Sequence, residues 1–165
     1  MKRTIPFLAA LFLVAPVSAQ SQFDTRGRLG ATIVGMSIEG YGRGGYGLFG
    51  GGEFVRGRLR LRPEGYLILS DTPTGEARRE LGLCPDEPTG SCTELLGWAT
   101  GDAVFDVYAQ ETRVYLGGGA YGGAGGQTGS FGGFHGVGGV TFSRDWGFEL
   151  KVGPTQFLLS GFFRF

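Results

Sequence analysis

The twenty residues WGFELKVGPTQFLLSGFFRF, Trp146–Phe165, decide the fold. In the first half Trp146, Phe148, Leu150 and Val152 alternate with Gly147, Glu149 and Lys151. In the second half Phe157, Leu159, Gly161, Phe163 and Phe165 fall on one face, while Gln156, Ser160 and Arg164 fall on the other. A strand sends successive side chains to opposite sides, so a period of two predicts two strands, each with one apolar face. Gly153-Pro154 between them is turn chemistry.

The same period recurs upstream. Leu59, Leu61 and Leu67 share a face opposite Arg60, Arg62, Glu64 and Tyr66. Continuing the test predicts strands over about 27–38, 45–56, 57–70, 101–110, 111–121, 131–143, 145–153 and 155–165. Each is near the roughly 9–11 residues a tilted strand needs to cross a bilayer. Short connections near Arg56-Gly57, Gln110-Glu111 and Arg144-Asp145 alternate with longer ones at 39–44, 71–100 and GGAGGQTGS (122–130), the short last loop at Gly153-Pro154 being the exception. That layout predicts an all-β, eight-stranded antiparallel up-and-down barrel whose two ends differ.

A barrel of the soluble lipocalin type, enclosing an apolar ligand, would also alternate, with its apolar row inside. Here Glu53, Arg60, Arg62, Glu64, Asp106, Arg113, Glu149, Lys151 and Arg164 all lie opposite that row. The apolar row carries too many large groups for a narrow lumen, and the near balance of charge signs would let the ions pair inside one. The expected lumen network joins Arg60, Arg62 and Arg113 to Glu53, Glu64 and Asp106, with Glu149 and Lys151 on the same face and Tyr66, Tyr108 and Tyr115 filling the remaining space. Such a lumen leaves no continuous water path. Aromatics collect at both ends of the apolar row: Phe142, Trp146, Phe163 and Phe165 on the turn side, Tyr41, Tyr46 and Trp98 on the loop side. This is the expected placing of headgroup-level girdles.

On these residues the chain resembles the small eight-stranded outer-membrane barrels, OmpA-like and OmpX-like, of diderm bacteria. The resemblance implies an outer-membrane location, contact with membrane lipid and lipopolysaccharide, and a structural or surface-interaction role for a monomer. It also implies that Phe157, Leu159, Gly161, Phe163 and Phe165 act as the terminal signal met by the barrel assembly machinery. Abundant glycine and the short last outer loop depart from the family pattern.

Other features bound the function. Lys2 and Arg3, an apolar run from Ile5 to Val14, and Val17-Ser18-Ala19 read as a signal peptide over 1–19, leaving one barrel domain over 20–165. Removing Lys2 and Arg3 leaves 13 basic residues against 15 acidic ones, which gives no ground for a nucleic-acid partner. Glycine supplies 34 of 165 residues, several times the usual share of about 7%, yet 14 Phe, 6 Tyr and 2 Trp argue against a disordered chain.

Cys84 and Cys92 flank PDEPTGS and in an exported chain predict a disulfide within the 71–100 loop. That polar loop, with Pro73, Arg78, Arg79 and Pro88, is the candidate surface feature. Two thiols and a single histidine do not make a metal site, and no cofactor is expected. Gly42–Gly47 fits G-x-G-x-x-G, but no helix follows it. His135 would serve a lipid-modifying enzyme only with a serine in reach. An interior histidine without catalysis is the expectation.

Overall fold

A computed structural model describes residues 23–38, 41–72, 92–126, 128–142 and 145–165. The predicted signal peptide lies outside them. So does the predicted Cys84–Cys92 disulfide, because neither thiol is among the described side chains.

Eight strands close into one antiparallel barrel, each paired to its sequence neighbour and β1 to β8. They are β1 (Asp24–Ile38), β2 (Tyr41–Arg56), β3 (Leu59–Thr72), β4 (Cys92–Ala109), β5 (Arg113–Gly125), β6 (Gly129–Phe142), β7 (Trp146–Gly153) and β8 (Gln156–Arg164). The seam pairs Arg28 with Arg164 and Met36 with Gln156. Below it the Gly27 and Phe165 backbones exchange hydrogen bonds of 2.8 and 3.1 Å. Closure removes free sheet edges, whose unpaired backbone groups would be costly away from water.

Hairpin chemistry explains the turn end. Arg56 pairs with Leu59 across Gly57-Arg58, and Gly57 adopts φ 61°. A two-residue hairpin matching strand twist needs positive φ at its first central position, which glycine adopts without strain.

The strands run further toward the loop end than the periodicity predicts. Thr72 pairs with Cys92, so the expected 71–100 loop contracts to 73–91, which lies outside the described residues. Most of 39–44 and 122–130 is also strand: Ser37 pairs with Gly42 and Ala124 with Ser130. Glycine-rich runs suggest loops, but here they continue the strands: Gly42 and Gly44 stand beside open space, whereas an added Cβ at Gly123 would lie 2.7 Å from the Gly97 carbonyl oxygen. At Gly119 an added Cβ would lie 2.5 Å from the Gly101 carbonyl oxygen and 3.0 Å from Asp102 Cα. Gly101, on the outer face, has open space at the same position.

Polarity is inverted relative to a soluble protein. Leu29, Ile33, Leu48, Leu67, Phe105, Phe148 and Leu159 are exposed around the outside, while Arg28, Glu53, Arg60, Arg62, Glu149 and Lys151 are buried. We predict that Gly119→Leu abolishes folding in detergent, since overpacking costs of about 1–3 kcal/mol arise even in yielding cores. Gly101→Leu should fold. The readout is the heat-dependent gel shift of the intact barrel.

Candidate functional site

The lumen is the candidate site, and strand parity builds it. Even-numbered residues from Arg28 to Met36 on β1, from Arg60 to Ser70 on β3, from Glu94 to Asp106 on β4 and along β8 point inward with odd-numbered residues of β7, so polar side chains from all around the sheet converge.

At the turn end Arg60 bridges Asp106 at 2.6 Å and Glu53 at 3.4 Å. Arg164 approaches Glu53 at 3.3 Å and donates to Thr141 at 2.9 Å. One step higher, Glu149 accepts from Arg62 at 2.5 Å and from the Tyr115 hydroxyl at 2.7 Å, with Arg28 at 3.5 Å. Glu64 accepts from Arg28, from Lys151 at 2.6 Å and from the Tyr66 hydroxyl at 2.7 Å. Asp102 accepts from Lys151 at 2.6 Å and bonds His135 Nε2 at 2.7 Å.

Rings complete the packing around the cations. The Arg28 guanidinium lies 4.0 Å from the Phe162 ring centroid, and that of Arg62 lies 4.8 Å from Tyr115. Both contacts fall within the range of cation–π attraction.

Arg28, Arg60, Arg62, Lys151 and Arg164 thus face Glu53, Glu64, Asp102, Asp106 and Glu149. Equal numbers matter because each buried ion loses several kcal/mol of hydration, and pairing with good hydrogen bonds offsets that cost. Glu64, Asp102 and Glu149 have oxygens close enough together to hold a cation. The Lys151 ammonium sits among them, at 2.6, 2.6 and 3.5 Å, and supplies that charge.

Toward the loop end the lumen changes character. A run of rings crosses it: Phe49 and Tyr66 at 5.0 Å, Tyr66 and Trp98 at 6.4 Å, Trp98 and Tyr121 at 5.4 Å, Tyr121 and His135 at 5.7 Å. Above the rings Arg43 meets Glu94 at 3.2 Å. Thr128 fastens the β5–β6 turn to the same carboxylate through its backbone N–H at 3.0 Å and its hydroxyl at 2.5 Å.

Several expected residues sit elsewhere. Trp98 is a lumen residue, 4% exposed, and not part of an outer girdle, because β4 starts at Cys92 and even positions face inward. Tyr108 faces outward, since the register shifts between Asp106 and Tyr108 and reverses the parity beyond it. Arg113 is at the margin, 3.9 Å from Asp106 with its side chain 22% exposed. The Tyr41 side chain lies outside the described residues, and Tyr46 is exposed as a girdle residue would be. Phe142 stacks on Trp146 at 4.6 Å. Of the last-strand pattern, Phe157, Leu159, Phe163 and Phe165 are exposed and Gly161 is half-buried.

Sequence reasoning passed over Arg28, Arg43, Glu94 and Asp102. Arg28 was accessible to it, since Leu29 and Ile33 alternate with Arg28 and Thr32. Arg43 and Glu94 were assigned to loops. His135 meets no hydroxyl nucleophile among the described contacts: the Ser160 hydroxyl donates to Thr32 and that of Ser70 to the Gly44 carbonyl.

No protein-family model and no curated protein matches the chain. Solved structures do match it. Neisserial surface protein A aligns with a TM-score of 0.60 at 12% identity, covering 85% of this chain and 95% of that one. Ail, the attachment invasion locus protein of Yersinia pestis, solved with the heparin analogue sucrose octasulfate, aligns with a TM-score of 0.52 at 11% identity, covering 87% and 99%. The chain has the fold of the small eight-stranded outer-membrane barrels.

Glu149 should be a keystone. Glu149→Leu leaves Arg28 and Arg62 short of counter-charge, and we predict a loss of about 3–5 kcal/mol in urea unfolding from lipid vesicles. Adding Arg62→Met should recover part of that loss, so the double variant falls short of the sum of the singles.

Proposed function

We propose that the chain is an integral outer-membrane barrel of a diderm bacterium. In this reading it has a non-enzymatic structural or surface-interaction role, and a lumen closed to ions and solutes. The observation that carries the proposal is the inverted polarity: large apolar side chains ring the exterior while ions fill the interior. In water such a belt would drive aggregation; in lipid it is the favourable surface. Strand length agrees, since even β7 and β8, at 8 and 9 residues, come close to the bilayer-crossing requirement.

The same packing supports the reading of a closed lumen. The lower ion pairs, the ring stack and the Arg43–Glu94–Thr128 cluster succeed one another along the axis, and side chains just fill an eight-stranded interior. A soluble barrel that binds an apolar ligand would need the opposite arrangement. The loop-end surface, in contact with lipopolysaccharide or a neighbouring molecule, is the proposed working face, as loops on rigid scaffolds often are. The exposed row of β8 is the proposed contact for the barrel assembly machinery.

Membrane fractionation tests the location: the chain should pellet with outer membranes and require detergent for extraction. Recovery in a detergent-free soluble extract would overturn the proposal. Leu159→Arg, on the outer face near mid-strand, should cost about 2–4 kcal/mol in vesicle unfolding if that face meets lipid, and little if it meets water. In planar bilayers the protein should give no steady conductance; open-channel currents would refute the closed lumen.

A further inference from the structure

The barrel wall is low at one place. Strands β7 and β8 have 8 and 9 residues, whereas their neighbours β6 and β1 have 14 and 15. Pairing of β6 with β7 ends at Gly136 and Val152, and pairing of β1 with β8 ends at Met36 and Gln156. Above Pro154-Thr155, the β1–β2 hairpin and β6 therefore rise past a missing section of wall.

A cavity of about 630 Å³ lies at this step. Its size is within the roughly 300–1,000 Å³ of sites for small molecules. Residues of both wall faces line it. Gly35, Val152 and Phe157 belong to the outer apolar surface, whereas Met36, Arg43 and Gln156 belong to the lumen row. Met36 pairs with Arg43 on one side and Gln156 on the other, so these three inward side chains stand side by side at one height.

Two observations define what could bind. Gln156 is 7% exposed, and its amide Nε2 has no hydrogen-bond partner among the described residues. A buried donor left unmade costs about 1–3 kcal/mol, so the position calls for an acceptor. Arg43, the cation of this row, already meets Glu94 at 3.2 Å. A second carboxylate would bring an uncompensated negative charge into a desolvated site, which is costly. The acceptor that fits is therefore neutral, and the apolar outer half fits a hydrocarbon chain.

We propose that this step in the wall binds an uncharged long-chain acyl ester drawn from the surrounding bilayer. Its chain lies along Gly35, Val152 and Phe157, and its ester carbonyl accepts a hydrogen bond from Gln156. Gly35 lets the Phe157 ring lie flat over β1, where a side chain would run into it, and the ring so seated forms the apolar side of the cavity. The proposal rests on the membrane reading above, and the test separates the two.

The mature chain is refolded in maltoside micelles, and its folded state is read independently from heat-dependent gel migration. Methyl palmitate labelled with carbon-13 at the carbonyl is then titrated and followed by NMR. A saturable bound carbonyl signal at one per chain is expected. Gln156→Leu, which removes the donor, and Ser37→Trp, which fills the cavity from its exposed rim, should each weaken binding by about tenfold or more while keeping the folded migration. Ionised palmitate at alkaline pH should bind at least about tenfold more weakly than the ester. The site is refuted if folded protein gives no saturable signal or if both variants bind as the parent does. Equal binding of the ionised acid would overturn the assignment of a neutral acceptor. Loss of the folded migration in the parent chain would count against the barrel reading itself.

Discussion

The constraint on which the structure depends is that ions placed inside a closed sheet must neutralise one another. An ion buried alone costs several kcal/mol, more than most single contacts return, and domains are stable by only about 5–15 kcal/mol in total. Arg28, Arg62 and Lys151 satisfy the condition with Glu64, Asp102 and Glu149 as a connected set. No member of it can be changed in isolation. Tyr66 and Tyr115 act as neutral donors to the two glutamates, and Phe162 covers one face of Arg28. This dependence also explains glycines that face the lumen. Large guanidinium groups and rings fit a narrow lumen only where facing positions carry no side chain, as at Gly139 beside the Tyr115 ring.

The two halves of the lumen serve different ends. The turn half is ionic and cross-links strands far apart in the chain: Arg62 and Glu149 are separated by 87 positions. The loop half is aromatic and carries the Arg43–Glu94 ion pair and a threonine-fastened turn. The low wall over β7 and β8 belongs to this second half, where the inner and outer surfaces come within reach of one another.

Much of this architecture was legible in particular residues. Trp146–Val152 and Leu59–Leu67 each declared a strand and its two faces, and the positions of Arg60, Arg62, Glu149 and Lys151 opposite the apolar row followed from parity alone. Parity also shows where the reading broke down. Periodicity starts the strand of Trp98 near residue 101 and leaves Trp98 among the outer aromatics, whereas pairing from Cys92 turns it inward. Tyr108 was read as a lumen residue because a bulge between Asp106 and Tyr108 cannot be seen in a period-two pattern. Glycine runs at 42–44 and 122–125 read as loops, since glycine marks turns and also sits within strands and composition does not separate the two uses.

By itself the sequence determined the strand class, the number of strands and the side of the sheet on which Arg60, Arg62, Glu64, Glu149 and Lys151 fall, because alternation is a local property of two adjacent residues. Which charge meets which was decided only by the tertiary structure. Pairing across the lumen depends on how the registers of all eight strands accumulate around the barrel, and no local window contains that sum. His135 shows the difference: its side of the sheet is opposite that of the adjacent Phe134 by strand parity, whereas its bond to Asp102, 33 residues away, exists only because β4, β5 and β6 pair in their observed register.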